Sequence, residues 1–244
     1  MEWREEGGVR WLEAELPGAR AAFSARTGGT SEPPYEALNV AIMTGDRREH
    51  VRENRRRLAA ALGRDPNGVV MARQVHGAEL REHRVPQAPR VYADVVSSSE
   101  QVDAHSTPSR ELTPLVMVAD CLPVAMTGRR GVAMAHCGWR GLAGGIVNEA
   151  AAAIDATAAA IGPGIGPCCY EVGEEVLTEF EDLDGVADGR MLDLTAVVRL
   201  LLARAGVTEV ESADLCTKCN PELFYSHRRD GERTGRQAGL VWMD

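Results

Sequence analysis

The chain has 244 residues, of which 44% are hydrophobic and 26% are charged, enough to bury a large core in one big domain or two small ones. Its formal net charge of -9 argues against nucleic acid as a main partner, because phosphate backbones are bound by a net basic face. No apolar run reaches the roughly 18 residues that a membrane span needs, and the acidic start is unlike a signal peptide. We therefore expect a cytoplasmic protein with no membrane partner.

The first third of the chain alternates between strand and helix patterns. Residues 9–26 predict two strands around a Pro-Gly turn, followed by a loop rich in glycine and proline. Residues 47–62 place apolar side chains at helical spacing and predict a helix that ends at a glycine. The arginine run at 55–57 is expected to form a solvated face of that helix. Residues 69–77 predict a strand that runs out into a loop.

The rest of the chain begins with a long apolar run, 114–126, interrupted by a polar Asp-Cys pair. A buried strand that breaks at a polar pair commonly presents reactive side chains at the end of a sheet. Residues 131–137 predict a second apolar strand, and 141–153 predict a helix. The C-terminal residues, 223–243, predict a hairpin closed by an Asp-Gly turn. Further segments predict strands at 155–162 and 207–214 and helices at 172–182 and 193–206.

These patterns predict a mixed α/β fold. Strands and helices alternate irregularly, and there is no internal repeat, low-complexity tract or long linker. The simplest interpretation is a single layered α+β domain over residues 1–244, with mixed β-sheets flanked by helices.

Three residues of metal-ligand type stand at the ends of predicted strands. His76 lies in RQVHG, Cys121 in ADCLPV and His136 in AHCGWRGL, at separations of 121 − 76 = 45 and 136 − 121 = 15 residues. Two imidazoles and one thiol are the ligands of an open zinc site, with a fourth position for water or substrate. The spacing alone is weak evidence, because a single histidine is more often a hydrogen-bonded core or loop residue. If the three side chains converge, the chain is an enzyme.

Other candidate residues flank the same segments. Asp120 is a candidate proton acceptor, with the equal alternative that it caps the loop or orients a ligand. Arg26, Arg73 and Arg140 are candidates for bidentate binding of an oxyanion such as phosphate, with the alternative of structural ion pairs. Trp139 could stack on a planar base, although a buried tryptophan is more often a core residue.

The remaining cysteines predict a mainly structural role. Cys216 and Cys219 form a single CxxC, whereas a structural zinc held by four cysteines needs a second such pair, and none exists. The adjacent Cys168 and Cys169 lack that spacing. Nothing around these thiols has the sequence context of a thioredoxin-like redox motif.

Taken together, the motifs resemble the bacterial laccase-domain family, also described as the peptidoglycan-editing-factor family. The resemblance covers most of the chain and rests on FSARTGG, the NRRRLAAALG helix, RQVHG, ADCLPV, HCGWRGL, IGPGIGPCCYEVGEEV and CTKCNPELFYSHRRDGERTGRQ, in this order. It implies one α/β domain in which His76, Cys121 and His136 hold a zinc ion, with copper as the alternative metal. Cys137 stands where the family usually has alanine.

The resemblance also implies an activity. It points to phosphorolysis of purine nucleosides (adenosine, inosine, guanosine and 5′-methylthioadenosine) and to deamination of adenosine, with purine nucleosides and phosphate as partners. On this hypothesis Arg26 and Arg140 bind the anion, with Asp120 as the third candidate catalytic residue. The usual zinc deaminase signature, H-x-E with P-C-x-x-C, is absent, so deamination would use an unrelated framework.

Three alternatives stay open at this point. Two histidines and a cysteine are also a copper ligand set, as in a phenol oxidase, although the chain has none of the His-x-His pairs that multicopper oxidases carry. Cys121 could instead be the nucleophile of an amide hydrolase, with His76 or His136 as its base. A non-enzymatic interaction module is the last alternative.

Overall fold

Two six-stranded sheets form the centre of the molecule. The structure, a computed structural model, describes residues 1–244. The strands are β1 (Glu2–Glu6), β2 (Val9–Leu16), β3 (Ala19–Ser24), β4 (Val69–Val70), β5 (Leu80–Glu82), β6 (Ala104–Thr107), β7 (Thr113–Val118), β8 (Leu122–Gly128), β9 (Gly131–Cys137), β10 (Ala156–Ile161), β11 (Ala187–Asp188), β12 (Met191–Leu192), β13 (Glu209–Ser212) and β14 (Gln237–Met243). The α-helices are α1 (Arg48–Ala61), α2 (Trp139–Ala143), α3 (Ile146–Ile154), α4 (Glu174–Leu177), α5 (Leu194–Arg204) and α6 (His227–Asp230).

The strand order explains how distant parts of the chain meet. One sheet has the order β1-β2-β3-β14-β7-β4, the other has β13-β10-β8-β9-β6-β5, and β11 and β12 form a separate pair. Both large sheets are mixed: β4 runs parallel to β7, and β5 runs parallel to β6, whereas most other neighbours are antiparallel. The predicted mixed α+β class is confirmed. None of the helices is long and apolar enough to cross a membrane.

The two sheets pack face to face and are covered by helices on their outer faces. Alternate residues of β8 and β9 point in opposite directions, as the two-residue period of a strand requires. Ala125 and Met134 pack inward against Phe23 and Val241 of the first sheet. The opposite faces of β8 and β9 pack against α3 and α5, while α1 covers the outer face of the first sheet. The result is a helix–sheet–sheet–helix arrangement.

Several predicted elements are confirmed. The turn at 17–18 joins β2 to β3, with Gly18 in the left-handed region at φ 68°. The apolar run 114–126 forms β7 and β8 and breaks at the predicted polar pair, and 131–137 forms β9. The helix predicted over 141–153 is divided into α2 and α3 at Gly145, whose φ of 90° cannot continue a helix.

Two predictions are wrong. Residues 223–243 do not form a hairpin: α6 and a loop precede β14, which pairs with β3 and β7 rather than with its own upstream segment. Arg55 does not belong to a solvated face, because it is 2% exposed and donates to the backbone carbonyls of Val40, Val91 and Tyr92. Burial lowers the pKa of Arg55 to about 10. Its guanidinium holds two loops against α1.

Candidate metal centre and its pocket

His76, Cys121 and His136 converge at the ends of three different segments, and we refer to them as the histidine–cysteine site. Their ligand atoms all lie within 4.8 Å of one another. His136 lies near the end of β9, Cys121 immediately precedes the neighbouring strand β8, and His76 comes from the loop after β4. The rings of the two histidines meet edge to face, with centroids 4.8 Å apart. The predicted convergence is therefore present in the structure.

Asp103, just before β6, positions two of these three residues. Its carboxylate accepts hydrogen bonds from the backbone N–H groups of Val75, His76 and Gly77, at 2.9, 3.0 and 3.0 Å. The same carboxylate accepts from Nδ1 of His136 at 2.7 Å. This pairing leaves Nε2 of His136 to face the site, as carboxylate-supported metal-binding histidines do. Sequence reasoning missed Asp103, although a buried carboxylate in VDAHST between two apolar strands was the available signal.

The histidine–cysteine site suits a metal ion that binds nitrogen and sulfur. Burial raises the pKa of Cys121, but the charge and hydrogen bond of His136, helped by His76, hold it at about 6, so the thiolate is favoured. Burial lowers the pKa of His136, whereas Cys121 and Asp103 raise it to about 9. A Cβ atom at Gly138 would lie 2.9 Å from Cys121 Sγ and 3.2 Å from His76 Cδ2. Only glycine leaves the ligand atoms this room.

The backbone around the site is also specialised. His76 and Asp120 adopt positive φ values of 63° and 94°, which few residues other than glycine and asparagine take. At His76 this conformation is held by the three hydrogen bonds that backbone N–H groups donate to Asp103. At Asp120 it turns the chain between β7 and β8, so that Cys121 points into the site. The polar Asp120–Cys121 pair between β7 and β8 is therefore what directs the thiol into the site.

Asp120 is occupied by structural hydrogen bonds. It is 8% exposed, and its two carboxylate oxygens accept from the Thr217 hydroxyl and from the backbone N–H of Arg228, each at 2.6 Å. Asp120 lines the pocket, yet both oxygens already hold the loops around it. The geometry favours the loop-holding alternative over proton transfer.

Arg26 lies outside the pocket, contrary to its proposed role as an anion-binding residue. Its guanidinium donates to the backbone carbonyls of Glu36 and Pro221 at 2.6–3.0 Å. It also stacks over the ring of Tyr225, 4.5 Å from the centroid. Because its donors are used by the protein itself, Arg26 ties loops together and is not available to a substrate.

Arg140 does lie in the pocket, with its guanidinium 4.3 Å from the centroid of the Trp139 ring. It is exposed and forms no ion pair or side-chain hydrogen bond within the chain. Arg73 precedes His76 in the sequence. It lines the same pocket and, like Arg140, is exposed and forms no ion pair or side-chain hydrogen bond within the chain. Sequence reasoning missed two further arginines of the lining, Arg228 and Arg236. They stand in the last motif of the resemblance, far along the chain from His76, Cys121 and His136, and nothing local placed that motif at the pocket.

The pocket is a cavity of about 510 Å³, within the range that holds small ligands. Its lining combines arginine side chains with apolar ones. The apolar residues include Ile42, Met43, Met71, Val91, Val96, Met117 and Ile165. Tyr170 also lines the pocket, and burial raises its pKa to about 12, so its hydroxyl stays protonated. The pocket therefore offers groups that suit an anion and groups that suit a planar apolar ligand.

The fold and the site define an α+β protein whose candidate metal site lies in a pocket lined by several arginines. The sequence pattern of the family described as Multi-copper polyphenol oxidoreductase laccase matches residues 20–244. The chain belongs to this family.

Individual relatives agree with that assignment. The chain is 38% identical over 240 residues to the purine nucleoside phosphorylase YfiH of Escherichia coli strain K12, covering 93% of this chain and 94% of the relative. It is 34% identical over 257 residues to the purine nucleoside phosphorylase YlmD of Geobacillus stearothermophilus, covering 95% and 93%. The crystal structure of the Bacillus licheniformis hypothetical protein YfiH superposes with a TM-score of 0.87 at 30% identity, over 99% of both chains.

Proposed function

We propose that this protein is a zinc-dependent purine nucleoside phosphorylase. The observation that carries the proposal is the shared cavity, in which the histidine–cysteine site lies beside free arginines and an apolar wall. Relatives that bear the name purine nucleoside phosphorylase align over more than nine-tenths of the chain. The substrates we propose are adenosine, inosine, guanosine and 5′-methylthioadenosine, with phosphate as the second substrate.

The reaction exchanges one bond at the sugar for another. An oxygen of phosphate bonds to C1′ of the ribose, the bond from C1′ to N9 of the purine breaks, and a proton from dihydrogen phosphate ends on the purine. The products are the free base and ribose 1-phosphate. His76, Cys121 and His136 would hold the zinc ion, which supplies Lewis-acid polarisation of a substrate oxygen.

The residues of the chain supply positioning and charge. Arg73 precedes His76 in the sequence and Arg140 follows His136, and both line one cavity with the histidine–cysteine site. We therefore assign these two arginines to the binding of phosphate. The apolar wall around Met71 and Met117 would receive the purine and exclude water from one side of it. Asp103 would keep both histidines in place during the reaction.

Product analysis with and without phosphate tests the proposal. The purified protein is incubated with adenosine, and the bases and nucleosides are separated by chromatography. We expect adenine and ribose 1-phosphate in equal amounts, only when phosphate is present. Inosine formed without phosphate would reveal the deaminase activity that we propose as a secondary reaction of the same site. If neither free base nor inosine appears with any of the four nucleosides, the proposal fails.

A second candidate function is favoured by one observation. Cys121 Sγ lies within 4.8 Å of the ligand atom of His136, and Nδ1 of His136 bonds the Asp103 carboxylate at 2.7 Å. This order is that of a thiol nucleophile, its base and an orienting group. This arrangement suits an amide hydrolase. Alkylation with iodoacetamide separates the two functions: metal ligation predicts that Cys121 reacts only in zinc-free protein. Equal alkylation with zinc present would favour the hydrolase.

A further inference from the structure

Four cysteines outside the pocket come together in space. Cys168 and Cys169 follow β10 in the glycine- and proline-rich loop, while Cys216 and Cys219 follow β13. Their sulfur atoms all lie within 4.8 Å of one another, and all four are free thiols. Cys219 Sγ is 3.7 Å from Cys168 Sγ and 3.4 Å from Cys169 Sγ. We call this group the four-cysteine cluster.

The sulfur separations match those of a tetrahedral metal site. Zinc binds thiolate at about 2.3 Å, which places the sulfurs of a tetrahedral four-cysteine site about 3.8 Å apart. The two separations from Cys219, 3.7 and 3.4 Å, lie close to this value, and none of the others exceeds 4.8 Å. Iron and zinc both accept four thiolates in this geometry, and zinc, which has no redox chemistry, suits an ion that only joins loops.

The backbone around the cluster holds the four thiols close together. A Cβ at Gly166 would lie 3.4 Å from Cys168 Sγ and 3.3 Å from Cys216 Cβ, so a larger residue would crowd the thiols. The side chain of Asn220 donates to the Cys216 carbonyl at 2.8 Å, which closes the CxxC turn. These contacts pre-form the turn in the shape that presents two thiols to one point.

We propose that Cys168, Cys169, Cys216 and Cys219 bind one structural zinc ion. The adjacent cysteine pair supplies the second half of a site whose first half is the CxxC. With four protein ligands the ion has no open position, so its role is to join two loops rather than to react. This ion is separate from the metal of the proposed phosphorylase site and does not depend on that function.

The proposed ion lies where it would stiffen the wall of the pocket. Tyr170, which follows Cys169 directly, lines the cavity. Thr217, inside the CxxC, donates to Asp120, the residue before Cys121. The backbone N–H of Thr217 also donates to the Gly164 carbonyl at 2.9 Å. Zinc binding here would therefore fix the loops that carry one side of the active pocket.

Zinc content measured on purified variants tests the proposal. We expect two zinc ions per chain in the wild type, one in Cys216→Ser/Cys219→Ser, and one in His76→Ala/Cys121→Ala. Cys137→Ala is the matched control, because Cys137 is buried outside both groups and its loss should leave two ions. Equal zinc in the wild type and in Cys216→Ser/Cys219→Ser would overturn the proposal. A loss of zinc at the histidine–cysteine site alone would leave this proposal unaffected. The proposal for the four-cysteine cluster and the proposed phosphorylase site are therefore tested independently.

Thiol protection in the unmodified chain tests the same proposal if the variants fail to fold. Cys168 and Cys219 are exposed, so iodoacetamide can reach free thiols at these positions, and a mildly alkaline pH makes them react. We expect peptide mapping to show all four cysteines protected in reduced protein and alkylated after a chelator is added. Rapid alkylation of Cys168 and Cys219 in zinc-loaded protein would contradict a four-cysteine zinc site. Protection that a reductant, but not a chelator, removes would equally contradict it by revealing disulfides.

Discussion

The histidine–cysteine site and the four-cysteine cluster differ in ligand type and in what surrounds them. The first combines two imidazoles with one thiol at the edge of a cavity of about 510 Å³. The second has four thiols from two turns, and none of these cysteines lines that cavity. Three protein ligands leave a metal one position for substrate, whereas four fill a tetrahedral shell. With a metal bound to each group, the number of ligands would separate the proposed reactive site from the proposed structural one.

The two groups also differ in how the fold supports them. The ligands of the histidine–cysteine site come from the ends of β8 and β9 and from a loop. Asp103 joins that loop to His136 on β9 through four hydrogen bonds. The four-cysteine cluster depends on turns that close on themselves. A reactive site must keep its shape when its ligands change, so it is built on rigid strands. A structural site supplies rigidity to the loops that carry it.

Removal of a ligand from the histidine–cysteine site should have the largest effect on activity. We expect His76→Ala to lower phosphorolysis by about a thousandfold or more, since the metal supplies several kcal/mol of charge stabilisation. Rates and zinc content are measured on the same folded samples. Cys216→Ser/Cys219→Ser is the matched comparison, with a lower melting temperature but activity that persists. A His76→Ala protein that retains wild-type phosphorolysis would contradict the proposal that the histidine–cysteine site, and not the four-cysteine cluster, is the reaction centre.

Loss of the carboxylate behind His136 should have the next largest effect. Asp103→Asn keeps the size of the side chain but removes its charge, so we expect zinc affinity at the histidine–cysteine site to fall by about 10–100-fold. Competition with a coloured chelator measures this affinity. Zinc in the four-cysteine cluster should be unaffected and serves as the internal reference. Unchanged affinity at both sites would show that Asp103 only holds the loop at 75–77.

Arg140 and Arg26 should separate substrate binding from structure. We expect Arg140→Ala to raise the KM for phosphate about tenfold with little change in the KM for nucleoside, because a charge-assisted hydrogen bond to the anion is lost. Arg26→Ala should lower the melting temperature, because three hydrogen bonds to backbone carbonyls are lost. The same variant should leave the KM for phosphate unchanged. The reverse pattern would restore Arg26 as the anion-binding residue.

The smallest predicted effect concerns His83 and His105, a buried histidine pair outside both groups. Their nitrogens lie 3.1 Å apart, and burial lowers the pKa of His83 to about 4 and that of His105 to about 3. Between these values and the unfolded pKa of about 6.5 the unfolded chain binds more protons. Stability is therefore complete above pH 6.5 and falls as the pH is lowered toward 4.

Thermal unfolding across this pH range measures the effect of the pair. We expect His83→Gln to reduce the loss of melting temperature between pH 6.5 and 4 by a few degrees. Above pH 7 the variant should differ from the wild type only by its altered packing. A pH dependence identical to that of the wild type would show that the buried pair is not the group that titrates.

The sequence predicted the histidine–cysteine site because each ligand stands where an apolar strand ends, a local feature that survives in the fold. It did not predict the partners that make the site work. Asp103 acts through hydrogen bonds to residues 26–33 positions away, and such pairings depend on strand order. The position of Arg26 outside the pocket was unpredictable for the same reason, since one carbonyl that accepts from its guanidinium belongs to the distant Pro221.

The four-cysteine cluster could not be predicted from the spacing of its cysteines in the sequence. Cys169 and Cys216 are 216 − 169 = 47 residues apart, and only the parallel pairing of β10 with β13 brings their loops together. The predicted C-terminal hairpin failed because β14 finds its partners in β3 and β7, whose positions in the sheet no local pattern announces. Local chemistry was predictable, whereas the meeting of distant segments was not.

An anomalous difference map at the zinc absorption edge, from crystals grown with phosphate, tests the division between the two groups most directly. We expect two peaks per chain. One should lie among His76, Cys121 and His136 with non-protein density at its fourth position, and the other should be enclosed by four sulfur atoms. A single peak at the four-cysteine cluster, with none at the histidine–cysteine site, would contradict the assignment of that site as the reaction centre.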